Sequence, residues 1–345
     1  MSGAVRPAGR NVRMPDSPGR AVPRQAARWA RLQRSAVGMG RGVHADVVYP
    51  RQIEPGCFWM LTRKCTEGQF LLLPEPETVE TFLYVLASAV QRSGVQLLGS
   101  YVASNHHHLV FYDPIGFAVE FYEYLHKLVA RAMNAKWGRR GYFWEAGAPS
   151  LVRLVDPDDV LDKLVYCLCN PVKDELVETV PDWPGVNTLD ALLEGRELVC
   201  ARPAGFFRAK GPMAPSYTLR LEIPEKLGDP AVFKGNLRER VAAFERGQAE
   251  RRRNRGRSVL GRLAVLAQTW SRRPDQMPPR GRLNPVIAAK NHESRKGAIE
   301  HLRGFISRYR AARQKFLSGA RAVFPYGTYW LRRFANVEVE PAPAG

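Results

Sequence analysis

The order of strands and helices predicted between residues 57 and 155 constrains the fold of this chain more than any other feature. Apolar runs of strand length alternate there with two longer segments whose apolar residues recur at helical spacing. Their order, β-α-β-β-α-β, defines the split βαβ or ferredoxin-like arrangement, an antiparallel sheet with helices on one face. The sequence therefore predicts an α+β fold. The predicted strands are 57–62, 95–102, 106–112 and 151–155, and the predicted helices are 75–92 and 117–137.

A third helix is predicted over residues 157–169, beginning at Asp156. Pro171 closes it, and a proline pushes the residue before it, Asn170, out of helical geometry. Asn170 still lies four residues after Tyr166. The two side chains are therefore expected on the same face, one turn apart.

The chain carries far more positive than negative charge. It has 52 Lys and Arg residues against 33 Asp and Glu, a formal net charge of +19 at pH 7. A surplus of this size attracts polyanions, because each cation placed near a phosphate releases condensed counterions. Nucleic acid is the first partner expected, and an anionic membrane or a ribosomal context is the second.

Composition divides the chain into three regions. Residues 1–50 form a basic leader, expected to be disordered because it has too little apolar surface to bury. Residues 55–190 hold the predicted α+β core. Residues 200–335 are predicted to form a basic, mostly helical region that binds DNA.

The cysteines and the hydropathy indicate a cytoplasmic protein. The five cysteines lack the spacing of a zinc finger or a disulfide framework, which suits a reducing cytosol. No apolar run approaches the roughly 20 residues needed to span a bilayer. We expect no membrane partner, and an association with the nucleoid through DNA.

Three adjacent histidines begin the third predicted strand. Because side chains alternate along a strand, His106 and His108 share one face and His107 points to the other. Imidazoles two residues apart can converge on one cation. The alternative is a pair of hydrogen-bonded or partly exposed histidines without a metal.

The tyrosine of the third helix is a candidate nucleophile. A free phenol has a pKa of about 10, so Tyr166 would need a neighbouring cation or a metal-bound phosphate to react. Asn170, on the same helical face, could complete a metal site. The alternative is an ordinary core aromatic, which is the more frequent role of a tyrosine in a helix.

Three motifs resemble those of one family. Residues 166–173 read Tyr-Cys-Leu-Cys-Asn-Pro-Val-Lys, followed by Leu-Val at 176–177 and Trp-Pro at 183–184. This run closely resembles the tyrosine motif of the REP-associated tyrosine transposases, Tyr-x-x-x-Asn-Pro-Val-Arg, then Leu-Val and Trp-Pro. Residues 105–109 resemble the family's Asn-His-hydrophobic-His-Leu motif, and residues 138–145 its Gly-x-Leu-Trp-Gln segment. The resemblance covers about residues 55–190, which makes this region the expected catalytic domain.

The resemblance implies an HUH-type nuclease that cuts and rejoins single-stranded DNA with hairpin or palindromic elements. His106, His108 and Asn170 would hold Mg²⁺ or Mn²⁺, although imidazole ligands alone would equally admit zinc. Tyr166 would attack the scissile phosphate, leaving a 5′-phosphotyrosine link and a free 3′-hydroxyl. Because this link conserves the phosphodiester energy, rejoining needs no nucleotide cofactor. Some relatives are dimers and others monomers, so a homodimer stays open.

The sequence departs from the family at two places. His107 stands where the family has an apolar residue, and Ala103 and Ser104 stand where it commonly has Met-Pro. His107 is predicted to face the helix layer behind the sheet, where an imidazole needs a polar partner. The alternative is a sheet face more open than usual.

Several aromatic and basic residues are candidate DNA contacts. Tyr142, Phe143 and Trp144 are candidates to stack on an unpaired base, although a core or loop anchor is the favoured role of Trp144. The candidate phosphate-binding residues are Arg139, Arg140, Arg251, Arg252, Arg253, Arg255 and Arg257.

Two other functions fit many of the same residues. A domesticated protein would keep the fold and the basic surface and bind DNA or RNA without catalysis. A metal-dependent hydrolase would use the histidines without a covalent tyrosine, which leaves the pairing of Tyr166 with Asn170 unexplained.

Overall fold

A computed structural model describes residues 50–274 and 285–343 of the chain. The leader predicted to be disordered, residues 1–50, lies outside the described residues except for its last position.

The central sheet contains the four strands predicted for a ferredoxin-like core. Its four main strands are β1 (Cys57–Lys64), β2 (Gln96–Val102), β3 (His106–Asp113) and β4 (Ser150–Leu154), in the spatial order β2-β3-β1-β4. Every neighbouring pair among them is antiparallel. The observed bounds match the four predicted strands to within two residues.

Two helices cover one face of this sheet, as predicted. They are α1 (Pro76–Ser93) and α2 (Ala118–Lys136), and Gly94 ends α1 in the left-handed conformation at φ +71°. Phe82 and Leu86 of α1 and Phe121 of α2 are buried there, and the Phe121 ring packs against Phe111 with centroids 4.9 Å apart. Burial of these aromatic and aliphatic side chains stabilises this half of the core.

The opposite face of the sheet carries the helix with the candidate tyrosine. This helix, α3 (Pro157–Leu168), packs with Leu164 and Leu168 against the second side of β2 and β3. Gly99 of β2 makes the close approach possible, since a Cβ at this position would lie 2.5 Å from Leu164 Cδ1. Helices therefore cover both faces, and the metal and tyrosine candidates meet on the face without α1 and α2.

The end of α3 differs from the prediction at one residue. The helix stops at Leu168, but the chain resumes helical geometry at Asn170 in a short helix, α4 (Asn170–Lys173). The prediction that Pro171 would push Asn170 out of helical geometry was wrong. Pro171 occupies the first turn of the new helix, where the missing N–H of proline costs no hydrogen bond.

The region after the core is mostly helical, as predicted. Its helices are α5 (Leu189–Glu194), α6 (Pro230–Asn254), α7 (Arg262–Leu266), α8 (His292–Leu317) and α9 (Trp330–Ala335). Its strands are β5 (Leu198–Ala201), β6 (Ser216–Leu219), β7 (Ile287–Ala288), β8 (Val323–Phe324) and β9 (Glu338–Val339). The short 3₁₀ helices among all the described residues are Thr66–Gly68, Val180–Asp182 and Glu225–Leu227.

This basic region attaches to the core at several points. Strand β7 extends the sheet by pairing parallel to β4. The backbone N–H groups of Leu260 and Gly261 donate to the carbonyls of Glu175 and Leu176, just after α4, and Phe70 N–H donates to Arg272. Within the described residues, no helix is long and apolar enough to cross a membrane.

Candidate active site

The register of the sheet brings His106 and His108 together at one end of β3. They pair across the sheet with Lys64 and Thr62 of β1, and their ring centroids are 4.9 Å apart. His107 lies between them in sequence and points to the opposite face, where it contacts Phe82 of α1. The predicted alternation of the three histidines is confirmed.

Hydrogen bonds orient both imidazoles through the Nδ1 atom. His106 Nδ1 lies 2.7 Å from Oδ1 of Asn105, and His108 Nδ1 lies 2.7 Å from Oγ1 of Thr62. An amide oxygen only accepts, so this contact favours the tautomer of His106 that carries its proton on Nδ1 and its lone pair on Nε2. The Nδ2 group of Asn105 donates to the carbonyl of Gly68 at 3.3 Å, which fixes the orientation of the amide. Histidines that bind metals are held in this way by a partner on the second nitrogen.

Burial keeps both imidazoles neutral at physiological pH. Removal of the ring from water is the largest cause that lowers the pKa of His106, to about 4, and it lowers the pKa of His108 well below its ordinary value. The neighbouring imidazoles and Lys173 lower the pKa of His108 further. Neutral imidazoles are the form that donates to a metal.

Asn170 adds a buried oxygen to the two histidines. The residue is 1% exposed, and its Oδ1 atom accepts no hydrogen bond. Its side chain lies close enough to His106 to raise the pKa of that imidazole against the effect of burial. A buried carbonyl oxygen without a donor costs about 1–3 kcal/mol, and a bound cation would remove that cost.

Two imidazole nitrogens and one amide oxygen fit a divalent cation that keeps open positions for phosphate oxygens or water. In the described parts of the chain, no group of three His, Cys, Asp or Glu side chains is placed to hold a metal. The candidate set therefore depends on Asn170, or on oxygens that the substrate supplies.

Tyr166 stands at the edge of the same cluster and is not a core aromatic. It is 37% exposed, whereas its neighbours Val165 and Cys167 are buried. Its ring centroid lies 5.6 Å from the ring of His108. The structure thus brings together the four residues that the sequence nominated, from β3, α3 and α4.

Two lysines flank the tyrosine. The Nζ atoms of Lys173 and Lys163 lie 5.0 Å and 5.7 Å from the centroid of the Tyr166 ring. Partial burial lowers the pKa of Lys173, but the Asp174 carboxylate and then Tyr166 itself raise it by more, so the net pKa lies above its ordinary value. Lys173 therefore remains an ammonium ion beside the phenol, the neighbouring cation that a tyrosine nucleophile requires.

His107 has the polar partner that its position demands. Its Nε2 atom lies 2.8 Å from Nε2 of His126 in α2, and both residues are buried. Trp144 packs against both rings and donates its indole N–H to the carbonyl of His126 at 2.9 Å. His107 is therefore paired with His126 in a closed sheet face, and the alternative of a more open face does not apply.

The candidate DNA-binding arginines fall into three groups. Arg140, Arg251, Arg253 and Arg255 are exposed. Arg257 is also exposed but lies 3.4 Å from Glu175, and Arg139 is partly buried with its guanidinium 5.6 Å from the centroid of the Trp270 ring. Arg252 is only 6% exposed, and its Nη1 atom has no hydrogen-bond partner. Its burial sets it apart from the exposed arginines predicted to bind phosphate.

Sequence reasoning missed four residues of the site. Asn105 and Lys173 lie within the quoted motifs, so their positions were available although their roles were not. Lys163 lies three residues before Tyr166 in the predicted helix, so helical spacing could have placed it beside the tyrosine. Thr62 has no local signal, because the cross-strand pairing that brings it to His108 depends on the folded chain.

The structural neighbours of this chain include two proteins described as transposases. One is the structure of a REP-associated tyrosine transposase bound to a REP hairpin, with 17% identity and a TM-score of 0.36 over 42% of this chain and 84% of that chain. Another is a protein from Deinococcus radiodurans R1, described provisionally as a transposase, with 16% identity and a TM-score of 0.23 over 33% of this chain and 85% of that chain. No family model and no curated protein matches the chain. Both identities and both TM-scores are low, so the chemistry of this chain is inferred from the residues of its own site.

Proposed function

We propose that this protein is a metal-dependent tyrosine transposase that nicks and rejoins single-stranded DNA bearing hairpin or palindromic elements. The observation that carries the proposal is the convergence of Tyr166, His106, His108 and Asn170 on one end of one sheet face. A basic surface and a net charge of +19 suit a polyanionic substrate.

In the proposed reaction, the Oη atom of Tyr166 attacks the scissile phosphorus. A new bond forms between this oxygen and phosphorus, and the bond from phosphorus to the 3′ oxygen breaks. The phenol proton passes to solvent, and the leaving oxygen takes up a proton to become a 3′-hydroxyl. Attack by a 3′-hydroxyl on the phosphotyrosine reverses these changes and joins the strands.

The protein's own residues would prepare this step in three ways. Lys173 and Lys163 stabilise negative charge on the tyrosine oxygen, and the exposed edge of Tyr166 lets a phosphate approach. Asn105 and Thr62 hydrogen-bond to the Nδ1 atoms of the two imidazoles, so that the Nε2 atom of each ring points away from these bonds. His106, His108 and Asn170 would hold Mg²⁺ or Mn²⁺, which when bound supplies charge stabilisation to the phosphate in the transition state.

Incubation with end-labelled hairpin DNA and Mn²⁺, followed by a denaturing gel, tests the proposal. Wild-type protein is expected to give a covalent protein–DNA band and a shorter strand with a free 3′-hydroxyl. Tyr166→Phe is expected to lose both. Tyr124→Phe serves as a control, because Tyr124 lies on α2, beyond the opposite face of the sheet.

Two other outcomes would each indicate a different function for this protein. Cleavage that survives Tyr166→Phe would show a hydrolase that does not use the tyrosine. Tight binding of every hairpin with neither adduct nor cleavage would show a non-catalytic nucleic-acid-binding protein.

A further inference from the structure

Three consecutive aromatic residues in the loop after α2 have different environments. Phe143 and Trp144 are 2% and 8% exposed, and their rings pack edge to face with centroids 4.6 Å apart. Tyr142 is 87% exposed, the most exposed of the large hydrophobic side chains in the described chain. The two buried rings anchor the loop in the core, and the third is left in solvent.

The backbone on both sides of Tyr142 is held by hydrogen bonds. Asn134 Nδ2 donates to the carbonyl of Gly141 at 3.1 Å, and the backbone N–H of Thr66 donates to the carbonyl of Phe143 at 2.9 Å. Glu145 N–H donates to Lys64 at 2.9 Å. A ring presented from a fixed backbone loses little conformational entropy when a planar group stacks on it.

This loop borders the end of the sheet that carries His106. Lys64, which accepts from Glu145, is the cross-strand partner of His106. The next residue, Cys65, donates its backbone N–H to the carbonyl of Asn105 at 2.7 Å. Tyr142 therefore lies in a loop that is hydrogen-bonded to the same end of the sheet as His106.

The charges around the ring favour a nucleic acid as the occupant. Arg140 and Lys64 are exposed on the same loop and strand end, and Arg139 lies nearby over the Trp270 ring. Glu145 is the acidic residue of this loop. An exposed aromatic ring among cations is the arrangement that binds unpaired bases, because the ring stacks on the base and the cations neutralise the backbone.

We propose that Tyr142, supported by Arg140, is a subsite that stacks on one unpaired base of the single-stranded substrate, next to the nucleotide that is cut. This inference deepens the proposed function and rests on it for the position of the scissile phosphate. The subsite reads the strand by stacking, and it therefore requires an unpaired base rather than a duplex.

Single-stranded oligonucleotides that carry the fluorescent base 2-aminopurine at successive positions test the subsite. The measurements use the full chain with Tyr166→Phe, so that binding is observed without chemistry. Fluorescence is expected to be quenched at one position of the strand. Added Tyr142→Ala should abolish that quenching and weaken binding about tenfold, whereas Tyr142→Phe and Tyr142→Trp should retain both.

Phe117→Ala is the matched control, because Phe117 is an exposed aromatic residue (42%) that precedes α2 at the other end of that helix. It should leave the quenching and the affinity unchanged. Equal losses in Phe117→Ala and Tyr142→Ala, or wild-type quenching in Tyr142→Ala, would overturn the subsite. The proposed function is tested separately. It fails if protein with an intact Tyr166 forms no covalent adduct, even where the quenching pattern is present.

Discussion

At the scale of single residues, histidine side chains have different tasks on the two faces of β3. His106 and His108 have Nδ1 hydrogen-bonded and are held on the face of Tyr166. His107 uses Nε2 to bind His126 on the other face, and its Nδ1 atom has no hydrogen-bond partner. A one-residue shift in register would exchange these tasks, so the pairing of β3 with β1 is a condition for the site.

The histidine pair behind the sheet predicts a coupled effect on stability. His126→Leu leaves both nitrogens of buried His107 without a partner, which should lower the free energy of unfolding by about 1–3 kcal/mol. His107→Leu together with His126→Leu removes both polar groups and should restore much of that loss. Urea denaturation of the single and double variants measures the coupling.

His292→Leu is the control for this pair, since His292 is an exposed histidine at the start of α8. The His107→Leu/His126→Leu variant should also retain adduct formation, because these residues face away from Tyr166. If the double variant lost as much free energy of unfolding as the two single variants added together, a direct interaction between the two imidazoles would be contradicted.

At the scale of secondary-structure elements, the distance between β2 and α3 sets the position of Tyr166. Gly99 lies next to an irregularity in the pairing of β2 with β3, and its Cα faces Leu164. Leu164 is fully buried two residues before Tyr166. A Cβ at position 99 must therefore displace the Leu164 side chain, and we expect α3 to move with it.

Gly99→Ala is expected to lower the free energy of unfolding by about 1–3 kcal/mol through overpacking. The same substitution should slow adduct formation, because α3 carries Tyr166 away from His108. Thermal denaturation and the rate of adduct formation are the two measurements. Gly235→Ala is the matched control, since a Cβ there meets no atom within 4 Å. An unchanged adduct rate in Gly99→Ala would contradict the idea that this close contact positions the tyrosine.

The elements also show how much the sequence could predict. Local periodicity was sufficient for the β-α-β-β-α-β order, for the shared face of His106 and His108 and for the proximity of Tyr166 to Asn170. It could not show that α3 packs on the face opposite α1 and α2, because that depends on contacts such as Gly99 with Leu164. The same holds for the pairing of His107 with His126, which are 19 residues apart.

At the scale of the whole molecule, the surplus of positive charge predicts how DNA binding responds to salt. For single strands, the logarithm of the affinity falls with the logarithm of the salt concentration by about 0.7 for each phosphate contacted. Arg253→Ala with Arg255→Ala should therefore reduce the slope by up to about 1.4 if both exposed arginines contact phosphates. Fluorescence anisotropy with a labelled single strand at several salt concentrations measures this slope.

Arg196→Ala with Arg220→Ala is the charge-matched control, because these arginines form ion pairs with Glu194 and Glu197 on another part of the surface. This pair should leave the slope nearly unchanged. Equal reductions of the slope in both double variants would mean that DNA binding depends on the net charge of the molecule and not on a defined path of the strand.

Identification of the modified residue tests the central claim most directly. The protein is incubated with hairpin DNA and Mn²⁺, digested with a protease and a nuclease, and its peptides are analysed by mass spectrometry. We predict a nucleotide joined through a 5′-phosphate to the peptide that contains Tyr166, and its absence when His106 and His108 are both replaced by Ala. A nucleotide on any other residue, or on Tyr166 in the variant without the two histidines, would contradict the proposed site.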